Sequence, residues 1–164
     1  MTVTLEKGYL PGSIGRISEL HGVYYYRNAG FGHYFEGQVA RELSEFLSRY
    51  DETRDGLWLV LADGNIEGSI VIDGVHAETD GAHLRWFIVS DRLRGGGIGN
   101  MLVSAAIDYC RERLYRRIYL WTFEGLHAAR HLYEKHGFKL VRQNPGRQWG
   151  EEVIEQRFEL QLCE

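Results

Sequence analysis

The chain reads as an α/β protein of the mixed α+β kind, and three stretches predict it. Residues 57–72 hold two apolar runs, Leu57–Ala62 and Ile66–Ile72, around Asp63-Gly64-Asn65. That pattern signals a hairpin, because a tight turn favours positive φ. Leu84–Val89 is a strand-like run that breaks at Ser90-Asp91, reaches three glycines at Gly95–Gly97 and then becomes an amphipathic helical pattern. Ile118–Phe123 is nearly unbroken in its apolar character, as suits a strand covered on both faces in a parallel pairing. Hairpins beside a helical crossover make a mixed sheet.

Taken in order, residues 2–10 suit a first strand carrying Val3 and Leu5, and a short helix is predicted around 13–21. His21-Gly22-Val23-Tyr24-Tyr25-Tyr26, with Asn28-Ala29-Gly30-Phe31-Gly32 after it, reads as a loop of large rings that either lines a pocket or caps the core. Val39, Leu43, Phe46, Leu47 and Tyr50 form one stripe on a helix over 35–50. Beyond the hairpin, a polar loop over 73–82 leads to a strand at 83–89. The helix behind the glycines runs to about Leu114, with Ile98, Met101, Leu102, Ala105, Tyr109 and Leu114 inward. A helix over 125–136 stops at Gly137, a strand covers 138–141, and Asn144-Pro145-Gly146 makes a turn. In the alternating strand 152–162, Ile154, Phe158, Leu160 and Leu162 share a face with Gln156, which is either a satisfied buried amide or a substrate contact. The order is therefore β, α, α, β, β, β, α, β, α, β, β.

The 164 residues, 44% hydrophobic, suit one domain able to bury about 70% of its unfolded surface. No apolar run approaches the ~18 residues of a membrane span, and residues 1–15 lack a secretory pattern. Cys110 and Cys163 lie far apart and form no metal spacing, so a reduced, cytoplasmic protein is expected. The net charge of −4 hides an asymmetry: residues 85–147 carry 12 Lys+Arg against 5 Asp+Glu, leaving 7 against 18 elsewhere. The basic block opens just before the glycines, as a polyanionic ligand would favour, although solvated helix faces would give the same imbalance. The acidic total and the absence of a recognition helix argue against nucleic acid.

Glycines allow close backbone approach, and a helix N-terminus behind them adds about half a positive charge, which suits a phosphate. A plain tight turn would use the same glycines. The dinucleotide pattern G-x-G-x-x-G fails, since its sixth place is Asn100 counted from Gly95 and Leu102 counted from Gly97. A nucleoside-triphosphate loop needs Gly-Lys, and no lysine lies between Lys7 and Lys135. What fits is R-x-x-G-x-G, on Arg94, Gly97 and Gly99. A second motif, A-x-x-x-Y-E-K-x-G-F, falls on Ala129, Tyr133, Glu134, Lys135, Gly137 and Phe138. His127 and His131 have the i, i+4 spacing of a zinc helix, but Ala128 stands where its general base would be, and no metal is expected.

These two motifs, in this order and on these predicted elements, resemble the GNAT acetyltransferases over residues 57–142. The resemblance implies one GNAT N-acetyltransferase domain over residues 1–164. Its sheet would be largely antiparallel, six- to seven-stranded, splayed between the fourth and fifth strands and flanked by about four helices. Leu84–Val89, Leu120–Phe123 with Ala128-Ala129-Arg130, and Trp149-Gly150 with Glu155–Leu160 are similar to the acetyltransferase half of bacterial MarR-type/GNAT fusion proteins. The chain would be a free-standing version, with no room for the winged-helix half.

By the same resemblance the cofactor is acetyl-CoA. Backbone groups of Phe87, Ile88 and Val89 would pair with its pantetheine arm, and Arg94, Gly95, Gly96, Gly97, Ile98, Gly99 and Asn100 would hold its pyrophosphate. Ala129, Arg130 and Tyr133 complete the set. Gly97 and Gly99 would be required by close approach, and Gly95 and Gly96 would be permissive. Leu126 occupies the place of a pantetheine-binding asparagine, which puts that contact in doubt. The Val89 N–H would be the oxyanion donor and Tyr133 the general acid, although a helical tyrosine is also an ordinary core residue.

The acceptor would be a primary amine, whether a small molecule, amino-acid-like or a peptide, lined by Tyr25, Phe31, Arg85, Trp121 and Trp149. Arg85 would pair a substrate carboxylate or make a strand-edge salt bridge. His33, Glu36, His83, Glu124 and Glu152 are candidate bases between which the sequence does not choose, and a water chain would also serve. Cys110 reads as core, so direct transfer in a ternary complex is expected. The alternative is an acyl-CoA-binding regulatory module with little turnover. Nucleic-acid and membrane partners are not expected, and the protein would be a monomer or homodimer.

Overall fold

The structure, a computed structural model, describes residues 1–163. Its elements are β1 (Val3–Lys7), α1 (Ser13–Ala29), α2 (His33–Ser48), β2 (Gly56–Ala62), β3 (Asn65–Asp73), β4 (Ala82–Val89), α3 (Ile98–Glu112), β5 (Arg117–Phe123), α4 (His127–Lys135), β6 (Lys139–Gly146) and β7 (Val153–Gln161). The order matches the predicted one. The strands form one sheet in the order β1-β2-β3-β4-β5-β7-β6, antiparallel throughout except between β4 and β5.

Alternation along β2 explains why its run is apolar at every position. Leu57 and Leu59 pack with Ile17 of α1 and Leu43 and Phe46 of α2. Trp58 and Val60 pack on the other side with Leu102, Val103 and Ala106 of α3. Helices thus cover both faces, and neither side of the strand meets water. No helix among the described residues is long and apolar enough to cross a membrane.

Three expectations are corrected. Residues 22–29, read as loop, continue α1. The inward stripe of that helix is Ile14, Ile17, His21 and Tyr25, and its polar members hide the helical period. Gly22 weakens the helical pattern too, yet a side chain there would collide with the Glu36 carboxylate of α2. Leu114 does not face inward: it lies beyond the end of α3 with φ 61° and is 85% exposed. Asn144-Pro145-Gly146 is strand rather than turn, with Pro145 opposite Ile154. Proline is tolerated there because β6 is the outer strand of the sheet.

The decisive local feature is in β4. Its parallel ladder with β5 consists of Ala82 opposite Ile118 and His83 opposite Tyr119. Against β3, Arg85 pairs with Val71 and Ile88 with Ser69, so Trp86 and Phe87 together oppose Ile70. This is a β-bulge, which bends and twists the strand that carries it. Trp86 has φ 46°, a left-handed conformation that costs a non-glycine residue about 1–3 kcal/mol. The Ser69 hydroxyl donates to the Trp86 carbonyl at 2.7 Å, and the Trp86 ring lies between Phe46 and the Arg85 guanidinium.

Asp73, at the end of β3, is buried and accepts from Arg49 Nη1 and Nη2 at 3.0 and 2.7 Å, and from Arg85 Nη1 at 3.3 Å. Burial opposes its charge, but the Arg49 hydrogen bonds and the two guanidiniums hold the carboxyl below the usual carboxylate range. Because the folded-state pKa is depressed, the stabilisation is complete above the unfolded value and is lost as pH falls through the folded one. Asp73→Asn should lower stability at pH 7 by about 1.5–3 kcal/mol. In thermal unfolding, the gap between wild type and variant should close on acidification below about pH 4. A gap that stays constant down to pH 3 would contradict this assignment.

Candidate active site

Where β4 and β5 part, two spaces open and meet. On the α3/α4 side, a groove is bounded by Phe87, Ile88 and Val89 of β4, by Leu93, Arg94, Gly95 and Gly97 of the loop, by Ile98 and Gly99 of α3, and by Leu126, Ala129, Leu132 and Tyr133. On the α1/α2 side, a cavity is bounded by His21 and Tyr25, by Phe35, Gln38 and Glu42, by His83–Phe87, by Leu120–Phe123 and by Trp149. Tyr25, Phe87, Thr122 and Tyr133 line both. The two spaces are therefore contiguous at the split.

The end of β4 has a backbone face toward the groove. The Ser90 N–H donates to the Glu67 carbonyl at 2.8 Å. Antiparallel ladder bonds recur every second residue, so Val89 turns its N–H and carbonyl away from β3, toward the side β5 has left. The Val89 carbonyl already accepts from Arg94 Nη2 at 3.1 Å. Arg94 also pairs with Asp91 and stacks over Tyr24 at 4.6 Å, which fixes the loop against α1.

The loop reaches α3 through two left-handed residues, Gly95 (φ 83°) and Gly97 (φ 79°). Gly97 is the N-cap of α3, and no side chain caps it. The first-turn N–H groups of this helix thus remain available as donors to an anion. The predicted division among the glycines changes accordingly. Gly95 is not permissive, because its backbone requires φ that an L-residue resists. Gly97 is constrained by its φ and not by neighbours. Gly99 is constrained by packing, since a Cβ there would come within 3.2–3.3 Å of Leu132 and Phe87. Gly96 has an ordinary conformation and a Cβ would meet only the Leu93 carbonyl, at 3.5 Å.

Tyr133 is 6% exposed, with its ring among Phe87, Phe138 and Phe158. Burial, reinforced by the nearby Tyr25 and Tyr24, pushes its hydroxyl far above the ordinary value, so it keeps its proton at neutral pH. Cys110 lies inside α3, where burial pushes its thiol up to about 12. It is no nucleophile at neutral pH.

Of the residues singled out in the sequence, Gly96, Asn100 and Arg130 do not line the groove. Asn100 bonds His136 at 2.8 Å, and Arg130 lies near Glu134 and the Phe158 ring. Tyr25, Arg85 and Trp121 line the cavity, whereas Phe31 is 1% exposed and backs its wall with Phe35 and Phe123. Arg85 is engaged by Glu42 at 2.6 Å as well as by Asp73. Among the candidate bases only His83 reaches the cavity. Burial and the neighbouring Arg85 push it down to about 3. His21, Gln38 and Glu42 also line the cavity, and no sequence signal marks them, because they come from helices whose cavity-facing positions mix polar and apolar types. Among the described residues, no three His, Cys, Asp or Glu side chains converge as a metal site.

A family model described as the acetyltransferase (GNAT) family matches residues 17–138. The chain belongs to that family. The same fold is found in yncA from Salmonella typhimurium, solved with its cofactor acetyl-CoA. That match has TM-score 0.75 and 18% identity, covering 100% of this chain and 96% of that one. The ribosomal-protein-alanine N-acetyltransferase from Brucella melitensis gives TM-score 0.76 at 14% identity, covering 97% and 99%. A GNAT-family acetyltransferase from Staphylococcus aureus Mu50 gives 0.75 at 19%, covering 98% and 99%. No curated protein sequence matches the chain.

An alanine at Gly95 or Gly97 lets the free loop relax out of the left-handed region by about 1–2 kcal/mol, and coenzyme A must then restore it, which should weaken coenzyme A binding roughly 5- to 30-fold. Gly96→Ala should bind within about twofold of wild type by the same reasoning. Calorimetric titration with coenzyme A reads both, and equal losses at all three positions would contradict the conformational account.

Proposed function

We propose that this protein moves the acetyl group of acetyl-CoA to a primary amine, directly, with both substrates bound at once. The observation that supports this most is the meeting of groove and cavity at Tyr133, with the outward-turned N–H of Val89 lining the same groove. The groove suits acetyl-CoA. Its loop offers N–H donors and Arg94 to a pyrophosphate, and its Ile98, Leu126, Ala129 and Leu132 walls suit an alkyl amide arm. Leu126, in place of an amide side chain, leaves that arm to the backbone of β4.

Acetyl-CoA supplies the acyl group as a thioester, activated toward attack. The Val89 N–H is placed to donate to the carbonyl oxygen as negative charge develops there. The walls of the cavity hold the amine in line with the carbonyl, which by orientation alone is worth several orders of magnitude. Tyr133, kept protonated by burial, gives its proton to the departing sulfur. With Cys110 inert and enclosed, no cysteine relay is needed.

The cavity offers an acceptor both aromatic surface, from Phe35, Trp86, Trp121, Phe123 and Trp149, and polar groups, from His21, Gln38, Glu42, Arg85 and Thr122. Arg85 is already paired twice, so a carboxylate on the acceptor would have to compete with Glu42. We read the chain as a single acetyltransferase domain of a cytoplasmic protein, a reading its two unpaired cysteines support. The likeness of residues 84–160 to the acetyltransferase half of MarR-type fusions belongs to the same reading.

The test is thiol release from acetyl-CoA over a broad panel of primary amines, with acetyl-CoA affinity measured in parallel. Tyr133→Phe should lower kcat by about 10²–10⁴-fold while the acetyl-CoA Kd stays within about threefold. Acetyl-CoA binding with no transfer to any amine would favour an acyl-CoA-binding module instead, and absence of binding would sink both readings.

A further inference from the structure

The cavity contains a buried histidine that none of the roles above uses. His21 is 4% exposed, on the inward face of α1, and lines the cavity. Its Nδ1 lies 2.8 Å from the Ile17 carbonyl. A carbonyl oxygen only accepts, so Nδ1 carries the proton and Nε2 presents a lone pair. No group among the described residues donates to Nε2. One helical turn further on, Tyr25 stacks with this ring at 6.1 Å between centroids and borders the junction of the two spaces.

The competing groups on the same cavity are engaged elsewhere. His83 stacks on Tyr119 where β4 and β5 are still paired. It lies six residues before Val89, roughly 20 Å along an extended strand. Glu42 is bonded to Arg85 at 2.6 Å, so its charge is already committed. His33, Glu36, Glu124 and Glu152 do not line the cavity.

We propose that His21 is the group that takes the proton from the acceptor nitrogen, an assignment that rests on the acetyltransferase reading above. As the nitrogen lone pair forms the C–N bond and the C–S bond breaks, Nε2 accepts the proton leaving nitrogen and Tyr133 delivers one to sulfur. One proton is taken and one given, and its return from His21 to Tyr133 through water restores both groups. Burial, opposed in part by the Ile17 hydrogen bond, pushes His21 down to about 4, so the ring is neutral and ready to accept at neutral pH. The weak basicity is sufficient, because the nitrogen becomes strongly acidic as the C–S bond breaks and it turns into that of a protonated amide.

The experiment uses the full chain with an amine found active in the panel. His21→Asn keeps a donor to the Ile17 carbonyl but removes the Nε2 lone pair, and His21→Ala leaves space for added imidazole. Both should lose about 10²–10⁴-fold in kcat, with amine KM and acetyl-CoA Kd within about threefold. Added imidazoles should restore the rate of His21→Ala, the more basic ones more strongly. Folding of each variant is checked by thermal unfolding, and His21→Gln replaces His21→Asn if the latter does not fold. Retained kcat in the variants overturns the assignment, as does a loss that imidazole does not restore. A wild-type protein that binds acetyl-CoA but acetylates no amine overturns the acetyltransferase reading, and the role of His21 with it.

Discussion

The site depends on how early β4 and β5 part company. Their ladder lasts for two residue pairs, after which β5 continues against β7 while β4 continues against β3. Had it run on, the outward N–H of Val89 would be consumed by a neighbouring carbonyl, and Tyr133 would face a closed sheet. A buried amide left without a partner costs about 1–3 kcal/mol, so an open seam is sustainable only where its amides look into a space that solvent or a ligand can fill. The bulge at Trp86 does the bending, at a cost in backbone strain that Ser69 and the packing of the indole help to offset.

How much of this is legible in the sequence depends on how local the signal is. The order of elements can be read because each strand and helix carries its own period, and the hairpin turn and glycine loop punctuate them. The groove is readable for the same reason, since the loop and the α4 motif are short, continuous runs. The cavity is not. Its wall is assembled from His21, Glu42, Arg85, Trp121 and Trp149, which lie on separate segments and have no shared spacing. Tyr24–Tyr26 resemble a loop because their helix sets three consecutive rings, only Tyr26 of them exposed, behind a buried histidine and a glycine forced by Glu36. The bulge has no sequence marker either: left-handed backbone is expected at glycine or asparagine, and here it falls on a tryptophan.

Burial, more than ion pairing, sets the protonation states around the junction. Tyr133 and Cys110 are driven toward their protonated forms, and His21 and His83 toward their neutral ones. The formal charges at the cavity, on Glu42 and Arg85, answer each other, with Asp73 behind Arg85 answered in turn by Arg49. The junction therefore has little net charge of its own, and in the proposed reaction the charge that develops would meet a backbone dipole and neutral side chains. Such an arrangement needs little reorganisation when charge moves.

The four residues shared by groove and cavity come from α1, β4, β5 and α4, one from each. Each of these side chains is a wall of both spaces at once, so a substitution at any one of them reshapes the groove and the cavity together and cannot be confined to either.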